Sequence, residues 1–194
     1  MSDDSAALLR SQLRKEALSR RDKLDPQIRD AYSQLIRKKA VEYITRIDAR
    51  HIHCYLNFRS EVITLGIIAD LIDRGIKISV PIISEGSSTM DHAELSDPND
   101  IRDGYFGTPE PSIIKLASVS EIDAVLIPIV AFDGMGMRLG YGKGFYDKFL
   151  AGFSQNIRRI GIAFSCQELD NIPKLPHDQL MNNVFTEQSA FFFE

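Results

Sequence analysis

The amino-acid sequence predicts an α/β fold built on an open sheet, and three observations carry that prediction. A strand, helix, strand pattern runs from His51 to Ile83. The longest apolar run, "AVLIPIVAF" from Ala124 to Phe132, has the length and composition of a buried strand rather than of a membrane span. After it the chain passes through a glycine-rich loop into a helical segment and then another strand, the order expected of an α/β unit.

Each element has its own local cause. Leu9, Leu13 and Leu18 recur at helical spacing, and Pro26 opens a second helix whose apolar stripe is Ile28, Leu35, Ile36, Tyr43 and Ile44. Two helices therefore precede any strand. "HIHCYL" (51–56) reads as a strand, "EVITLGIIADLIDRG" (61–75) as a helix capped by Ser60 and stopped by Gly75, and "IKISVPII" (76–83) as the next strand. From Ser84 to Pro111 turn formers dominate, with "STMDHAEL" as one strand of a hairpin, and this region is expected to carry a substrate loop. A short helix is expected from Pro111 to Ala117, a strand from Ala124 to Phe132, and a helix from about Gly144 to Leu150. "RRIGIAFS" and "SAFFF" supply the last strands.

Length and composition limit the functional classes. With 194 residues and 44% hydrophobic residues, the chain can bury a full core as one domain spanning 1–194. A formal net charge of −4 argues against nucleic acid as the main partner, despite the basic stretch "LRSQLRKEALSRRDKL". No segment has the length of a membrane span and the start lacks a signal-peptide order, so the expected location is the cytoplasm. The two cysteines, Cys54 and Cys166, lie in apolar segments without metal-ligand spacing. His51, His53, His92 and His177 show no mutual metal spacing either, although His177 adjoins Asp178.

"RLGYGKGFYDKFL" (138–150) is the stretch that points to chemistry. Gly140, Gly142 and Gly144 let the backbone approach a multi-oxygen anion such as a phosphate, and Lys143 and Arg138 add charge. It is neither of the two common phosphate loops. A Walker A loop requires glycine at Met137 and Ser or Thr at Gly144, and the dinucleotide pattern requires glycine at Phe145. In open α/β sheets ligands bind beyond the carboxyl ends of the strands, which is where this loop is expected.

The wider stretch "FDGMGMRLGYGKGFYDKFL" resembles the signature of the 5-formyltetrahydrofolate cyclo-ligase family, through Phe132, Asp133, Gly136, Arg138, Leu139, Gly140, Gly142, Gly144, Phe145, Tyr146 and Asp147. Further similarities lie in Arg10, Leu13 and Arg14, where the family more often has Lys first, and in "SEVIT", "FGTPEP" and "LPHDQLMNNVFT". The resemblance implies a three-layer α/β/α sandwich related to sugar-phosphate isomerase and CoA transferase folds, with the two helices at its N-terminal end. It implies an ATP- and Mg2+-dependent ring closure of 5-formyltetrahydrofolate, monoglutamyl or polyglutamyl, to 5,10-methenyltetrahydrofolate by a monomeric enzyme.

By the same resemblance, Arg10, Arg14, Arg138, Leu139, Gly140, Tyr141, Gly142, Lys143, Gly144, Phe145 and Tyr146 are expected to bind the nucleotide. The helix after the loop is expected to direct its dipole at the phosphates. Leu56, Glu61 and Phe106, with Lys143 to Tyr146 shared, are expected to bind the folate. Lys143 and Tyr146 are the expected catalytic residues, and Asp147 and Asp178 the magnesium ligands. Without the resemblance, Arg10 and Arg14 read as a solvated helix face, Glu61 and Asp147 as acids at helix starts, and Phe106 as core. Two other functions fit the same fold: a non-catalytic folate or nucleotide binder, and a sugar-phosphate isomerase.

Overall fold

The computed structural model describes residues 3–153 and 157–193. Two long helices come first, α1 (Asp3–Asp22) and α2 (Pro26–Arg46). Asp25 caps α2, its Oδ1 accepting from the Gln27 and Ile28 N–H groups at 2.8 and 3.4 Å, and Pro26 stands where no N–H is needed. The inward stripe of α2 runs through Ser33, Ile36, Ala40, Tyr43 and Ile44. Ile28 and Leu35 of the expected stripe are exposed, because neither falls on that face.

The main sheet has seven strands: β1 (His51–Cys54), β2 (Lys77–Ile82), β3 (Asp91–Glu94), β6 (Ala124–Pro128), β9 (Arg158–Ile162), β11 (Asn183–Phe185) and β12 (Ala190–Phe192). Their order is β12-β11-β9-β6-β1-β2-β3, with the inner pairs parallel and the two edge strands, β3 and β12, antiparallel. Central β6 is apolar throughout because it is covered twice. Ala124 and Leu126 pack toward α2 and α3 (Leu65–Asp73), whereas Val125 and Ile127 pack toward α4 (Phe145–Ala151). Helices thus cover both faces of the sheet. No helix among the described residues is long and apolar enough to cross a membrane.

A short pair, β4 (Ile101–Asp103) and β5 (Pro109–Pro111), forms a second sheet. A third consists of β7 (Ala131–Asp133), β8 (Arg138–Leu139) and β10 (Glu168–Leu169). Ala17 of α1 packs on that third sheet against Val130, Ala131, Leu139 and Leu169. Fully buried Asp133 organises its turn: Oδ1 accepts from the Met135 and Met137 N–H groups at 2.9 and 3.0 Å, and Oδ2 from that of Ile172 at 2.9 Å. The Phe-Asp pair of the signature is therefore an architectural element.

Three local expectations differ from the structure, and one strand has no counterpart among them. The expected strand Ala124–Phe132 is two strands, β6 and β7, because Pro128 cannot donate to a ladder and the chain leaves the main sheet there. The helix expected from Glu61 begins only at Leu65: Thr64 and Asn57 bond reciprocally, with Asn57 N–H donating to Thr64 Oγ1 at 3.0 Å and Thr64 N–H to Asn57 Oδ1 at 3.1 Å. Residues 57–64 are a loop that turns at Arg59 and Ser60, and Ser60 caps no helix. The helix expected at 111–117 is extended chain, in which Pro111 ends β5 and Leu116 bridges to Ala93. Strand β11 lies in a stretch with no alternation to announce it, and it enters the sheet beside β9 through Asn183, Val184 and Phe185.

Candidate active site

The carboxyl ends of β1, β2 and β6 open into one cleft of about 540 Å³, lined there by Tyr55, Leu56, Pro81, Ile83 and Pro128. Helix α1 brings Arg10 and Arg14 to its rim. The glycine loop closes another side with Gly140 to Asp147, and Glu61 comes from the turn after β1. Residues 105–110, in the turn-forming region, add Tyr105, Thr108, Pro109 and Glu110. A ligand in this space meets apolar walls at the strand ends and cations at the rim.

The loop is shaped by two of its glycines. Gly142 and Gly144 have φ of 99° and 69°, a region L side chains rarely adopt, and Gly144 is the residue from which α4 starts. A Cβ at Gly142 would lie 3.8 Å from the Arg14 guanidinium carbon, so the bare backbone runs directly beside that charge. Arg14 Nε donates to the Gly140 carbonyl at 2.8 Å, tying α1 to the loop. Helix α4 starts directly from Gly144, so its first turn, the loop and the arginines line the same part of the cleft.

Each of these arginines is aimed by partners. Arg10, buried, donates from Nη1 to Asp178 Oδ2 at 2.6 Å and the Pro173 carbonyl at 2.7 Å, and from Nη2 to Asp178 Oδ1 at 2.9 Å. Arg138, also buried, donates to the Gln179 carbonyl at 2.6 Å and to Asp147 Oδ1 at 2.8 Å. Burial, followed by the neighbouring charge of Arg10, pulls the Arg14 pKa below the usual arginine value. Two guanidiniums gathered on one helix face beside bare backbone suit a polyanion.

Glu61, only 5% exposed, lines the same cleft next to Tyr141 of the loop. Its Oε2 accepts from the Phe58 N–H at 2.8 Å, which bends the turn back on itself. Burial raises its pKa, while the Phe58 N–H, the Arg21 charge and the Tyr141 hydroxyl oppose that rise. Tyr141 is 46% exposed, and the partial burial of its hydroxyl, followed by the neighbouring charge of Glu61, pushes it up to about 12. The Tyr146 hydroxyl is buried without a hydrogen-bond partner, and burial holds its pKa well above the tyrosine range, so it is a neutral O–H.

Of the residues singled out in the sequence, Arg10, Arg14, Leu56, Glu61, Arg138 and the loop from Gly140 to Asp147 share this cleft. Leu139 does not line it and is packed in the core beneath α1. Phe106 lies on the 3₁₀ turn Tyr105–Gly107, and its side chain lies outside the described part of the structure. Asp178 stands behind Arg10 rather than in the cleft: Arg10 occupies both its oxygens, and the Leu175 N–H also donates to Oδ2, at 2.7 Å. Asp147 contacts Arg138 through Oδ1, leaving its second oxygen outside that bond.

A magnesium ion carried on phosphate oxygens needs only one or two carboxylates; Asp147 has one oxygen outside its bond to Arg138, whereas both oxygens of Asp178 already accept hydrogen bonds in the unliganded protein. Among the described residues no group of three or more His, Cys, Asp or Glu is placed to hold a metal alone. His53 and His92 meet at 3.0 Å, but beneath α4 against Phe149. Arg21, unremarked in the sequence, is the most deeply buried of the arginines at the site, at 1% exposure. Its spacing of seven from Arg14 on one helix is the signal that marks it.

The chain is similar to known proteins along most of its length. Residues 7–187 match the 5-formyltetrahydrofolate cyclo-ligase family. The 5-formyltetrahydrofolate cyclo-ligase of Haemophilus influenzae is 27% identical over 168 residues, covering 84% of this chain and 90% of the relative. That of Mycolicibacterium smegmatis is 26% identical over 182 residues, covering 91% and 93%. Among solved structures, the 5,10-methenyltetrahydrofolate synthetase of Aquifex aeolicus has the same fold with a TM-score of 0.79 at 24% identity, covering 95% of this chain and 92% of that one. The corresponding protein from Mycoplasma pneumoniae gives 0.76 at 24% identity, covering 92% and 98%.

Proposed function

The chain belongs to the 5-formyltetrahydrofolate cyclo-ligase family, and on that premise we propose that it closes 5-formyltetrahydrofolate to 5,10-methenyltetrahydrofolate at the expense of ATP. One observation carries the reading to this cleft: the arginines of α1, the bare glycine loop and a buried carboxylate beside the loop's Tyr141 line a single space whose strand-end wall is apolar. The arginines and the loop suit a nucleotide, and the carboxylate with the apolar wall suits a flat, donor-bearing ring system.

The chemistry follows from the poor leaving ability of a formyl oxygen. That oxygen attacks the γ-phosphorus of ATP, a new O–P bond forms as the bond to the β,γ-bridging oxygen breaks, and ADP departs. The formyl carbon, now bearing a phosphate, is electrophilic. N10 attacks it and gives up its proton, the C–O bond breaks, and inorganic phosphate leaves with the bonding pair. The five-membered ring closes with its positive charge shared between N5 and N10. The protein has little covalent work to do and acts by positioning and by stabilising charge.

In this reading Arg10 and Arg14 hold the triphosphate, with Asp178 aiming Arg10. The N–H groups of Gly140, Tyr141, Gly142, Gly144 and Phe145 complete the cradle. Lys143 and Arg138 offset charge on the phosphoryl group in flight, and the neutral Tyr146 hydroxyl donates a hydrogen bond to the transferring oxygens. Leu56, Phe106 and the strand-end wall hold the folate rings, and Glu61 accepts from their N–H groups. Asp147 is the protein's ligand for Mg2+, which when bound neutralises phosphate charge and orients the chain.

We further take residues 1–194 as one domain, since β1 pairs with β6 and α1 packs on the sheet of β7, β8 and β10, so that the two halves of the chain interleave. By resemblance we place the fold beside those of sugar-phosphate isomerases and CoA transferases, and the protein, acting as a monomer on ATP, in the cytoplasm. The test is direct: protein, 5-formyltetrahydrofolate, Mg2+ and ATP should develop the near-ultraviolet absorbance of the methenyl product. Absence of an ATP-dependent signal refutes the reading, and a nucleotide-independent sugar-phosphate conversion would favour an isomerase.

A further inference from the structure

Arg21 differs from the other buried arginines of the site in what holds it. Arg10 and Arg138 are each paired with a carboxylate. Arg21 is held by two hydroxyl groups: its Nε donates to Ser60 Oγ at 3.0 Å and its Nη2 to the Tyr141 hydroxyl at 2.9 Å. Nη1 is buried with no hydrogen-bond partner. A guanidinium at 1% exposure with one nitrogen unsatisfied is costly to bury. Its position tells what that cost maintains.

The two hydroxyls lead to the same place. Ser60, which donates in turn to Asp22 Oδ1, precedes Glu61 in the chain. Tyr141, whose ring also lies 5.8 Å from the Arg21 guanidinium carbon, is a hydrogen-bonding partner of the Glu61 carboxylate. The titratable groups around Glu61 come from four elements: Arg21 of α1, Tyr141 of the glycine loop, Tyr55 after β1 and Tyr146 of α4. The three tyrosines are all raised above their usual range, chiefly by burial, and are neutral. Arg21 is therefore the one cation in that set.

We propose that Arg21 is a positioning residue, which through the Tyr141 hydroxyl and through its own charge holds Glu61 as an anionic acceptor facing the folate. The inference rests on the reading of Glu61 as the folate's acceptor. A neutral Glu61 would present an O–H where the substrate's own N–H groups need an acceptor, and binding would be lost. Burial pushes Glu61 toward that neutral form, and Arg21 opposes it without entering the cleft.

The test is calorimetric binding of 5-formyltetrahydrofolate, without nucleotide, from about pH 5 to about pH 9. Wild-type affinity should fall on the acid side as Glu61 takes up a proton, and Glu61→Gln should abolish that dependence. In Arg21→Gln the fall should begin about one pH unit higher, the low end of the effect of a close opposite charge. Tyr141→Phe should move it the same way by less, and Arg21→Lys should recover part of the shift. An acid limb in Arg21→Gln at the wild-type pH, with the limb absent in Glu61→Gln, overturns the role of Arg21 and leaves Glu61 in the site. Wild-type affinity and pH dependence in Glu61→Gln removes Glu61 itself, and the inference with it. Should Arg21→Gln fail to fold, Tyr141→Phe decides, and an unmoved limb there is the contrary result.

Discussion

Within the cleft, the arginine rim and the Glu61 pocket keep their charges in opposite ways. At the rim, Arg10 and Arg138 each have a carboxylate, and Arg14 leans on a carbonyl, so the cations are aimed before any ligand arrives. In the Glu61 pocket, the deep end, that carboxylate is a buried anion helped by a backbone N–H, the Tyr141 hydroxyl and the charge of Arg21. The rim is built for a ligand that brings several negative charges and tolerates small displacements. The deep end is built for one donor pattern, and a carboxylate kept short of partners retains its capacity to accept from a ligand.

That contrast orders the expected effects of substitution. The largest falls at the rim on Asp147→Asn, which keeps the shape and removes the charge that a magnesium ion requires. Turnover should drop by at least about a hundredfold, with a melting temperature close to wild type, and raised Mg2+ should restore part of it. Wild-type turnover with an unchanged Mg2+ requirement would take Asp147 out of the metal site and leave it as the partner of Arg138.

Tyr146 lines the same cleft, and Tyr146→Phe sharpens the comparison by removing a buried hydroxyl that has no partner in the free protein. If that hydroxyl is reserved for the reacting oxygens, kcat should fall about tenfold while stability holds or rises slightly, since no intramolecular bond is lost. Steady-state kinetics beside a thermal melt separate the two. Unchanged kcat would show that the hydroxyl serves neither ligand.

A smaller effect, on stability alone, is expected at the deep end. Burial raises the Glu61 pKa in the folded protein, so the folded state favours the protonated acid. Its contribution to stability is fully present below the ordinary glutamate range and is lost as pH rises through the raised value. Glu61→Gln should therefore be as stable as wild type or more so at neutral pH, by about 1 kcal/mol or less, and the difference should vanish toward pH 4. A variant that is less stable than wild type at neutral pH would mean that the carboxylate is well paired, contrary to the contrast drawn between the rim and the Glu61 pocket.

The rim and the Glu61 pocket also differ in how visible they were in the chain. The rim is local: Arg10 and Arg14 lie four apart on one helix, and Arg138 to Asp147 form one continuous stretch whose glycines announce a backbone approach. The deep end is assembled from afar. Arg21 reaches Ser60 across 39 positions and Tyr141 across 120, and no spacing rule joins them. By local pattern alone Glu61 reads as a helix-start acid, and only the family resemblance assigns it to the folate, because the Ser60–Glu61 pair imitates a cap while Thr64 and Asn57 delay the helix to Leu65. The fold followed the same division. The βαβ unit and the apolar run of β6 were legible from period and composition. The break at Pro128 and the entry of β11 depend on which strands lie alongside.

The central claim is that the rim serves the nucleotide and the deep end serves the folate, and paired calorimetric titrations test it most directly. Wild type, Arg14→Ala and Glu61→Gln are each titrated with a non-hydrolysable ATP analogue and, separately, with 5-formyltetrahydrofolate at neutral pH. Arg14→Ala should weaken the nucleotide by roughly 1.5–3 kcal/mol, the range of a hydrogen bond to a charged group, and leave the folate within twofold. Glu61→Gln should do the reverse, costing the folate about tenfold or more. Loss of the same ligand in both variants, or of neither, would contradict the division of the cleft.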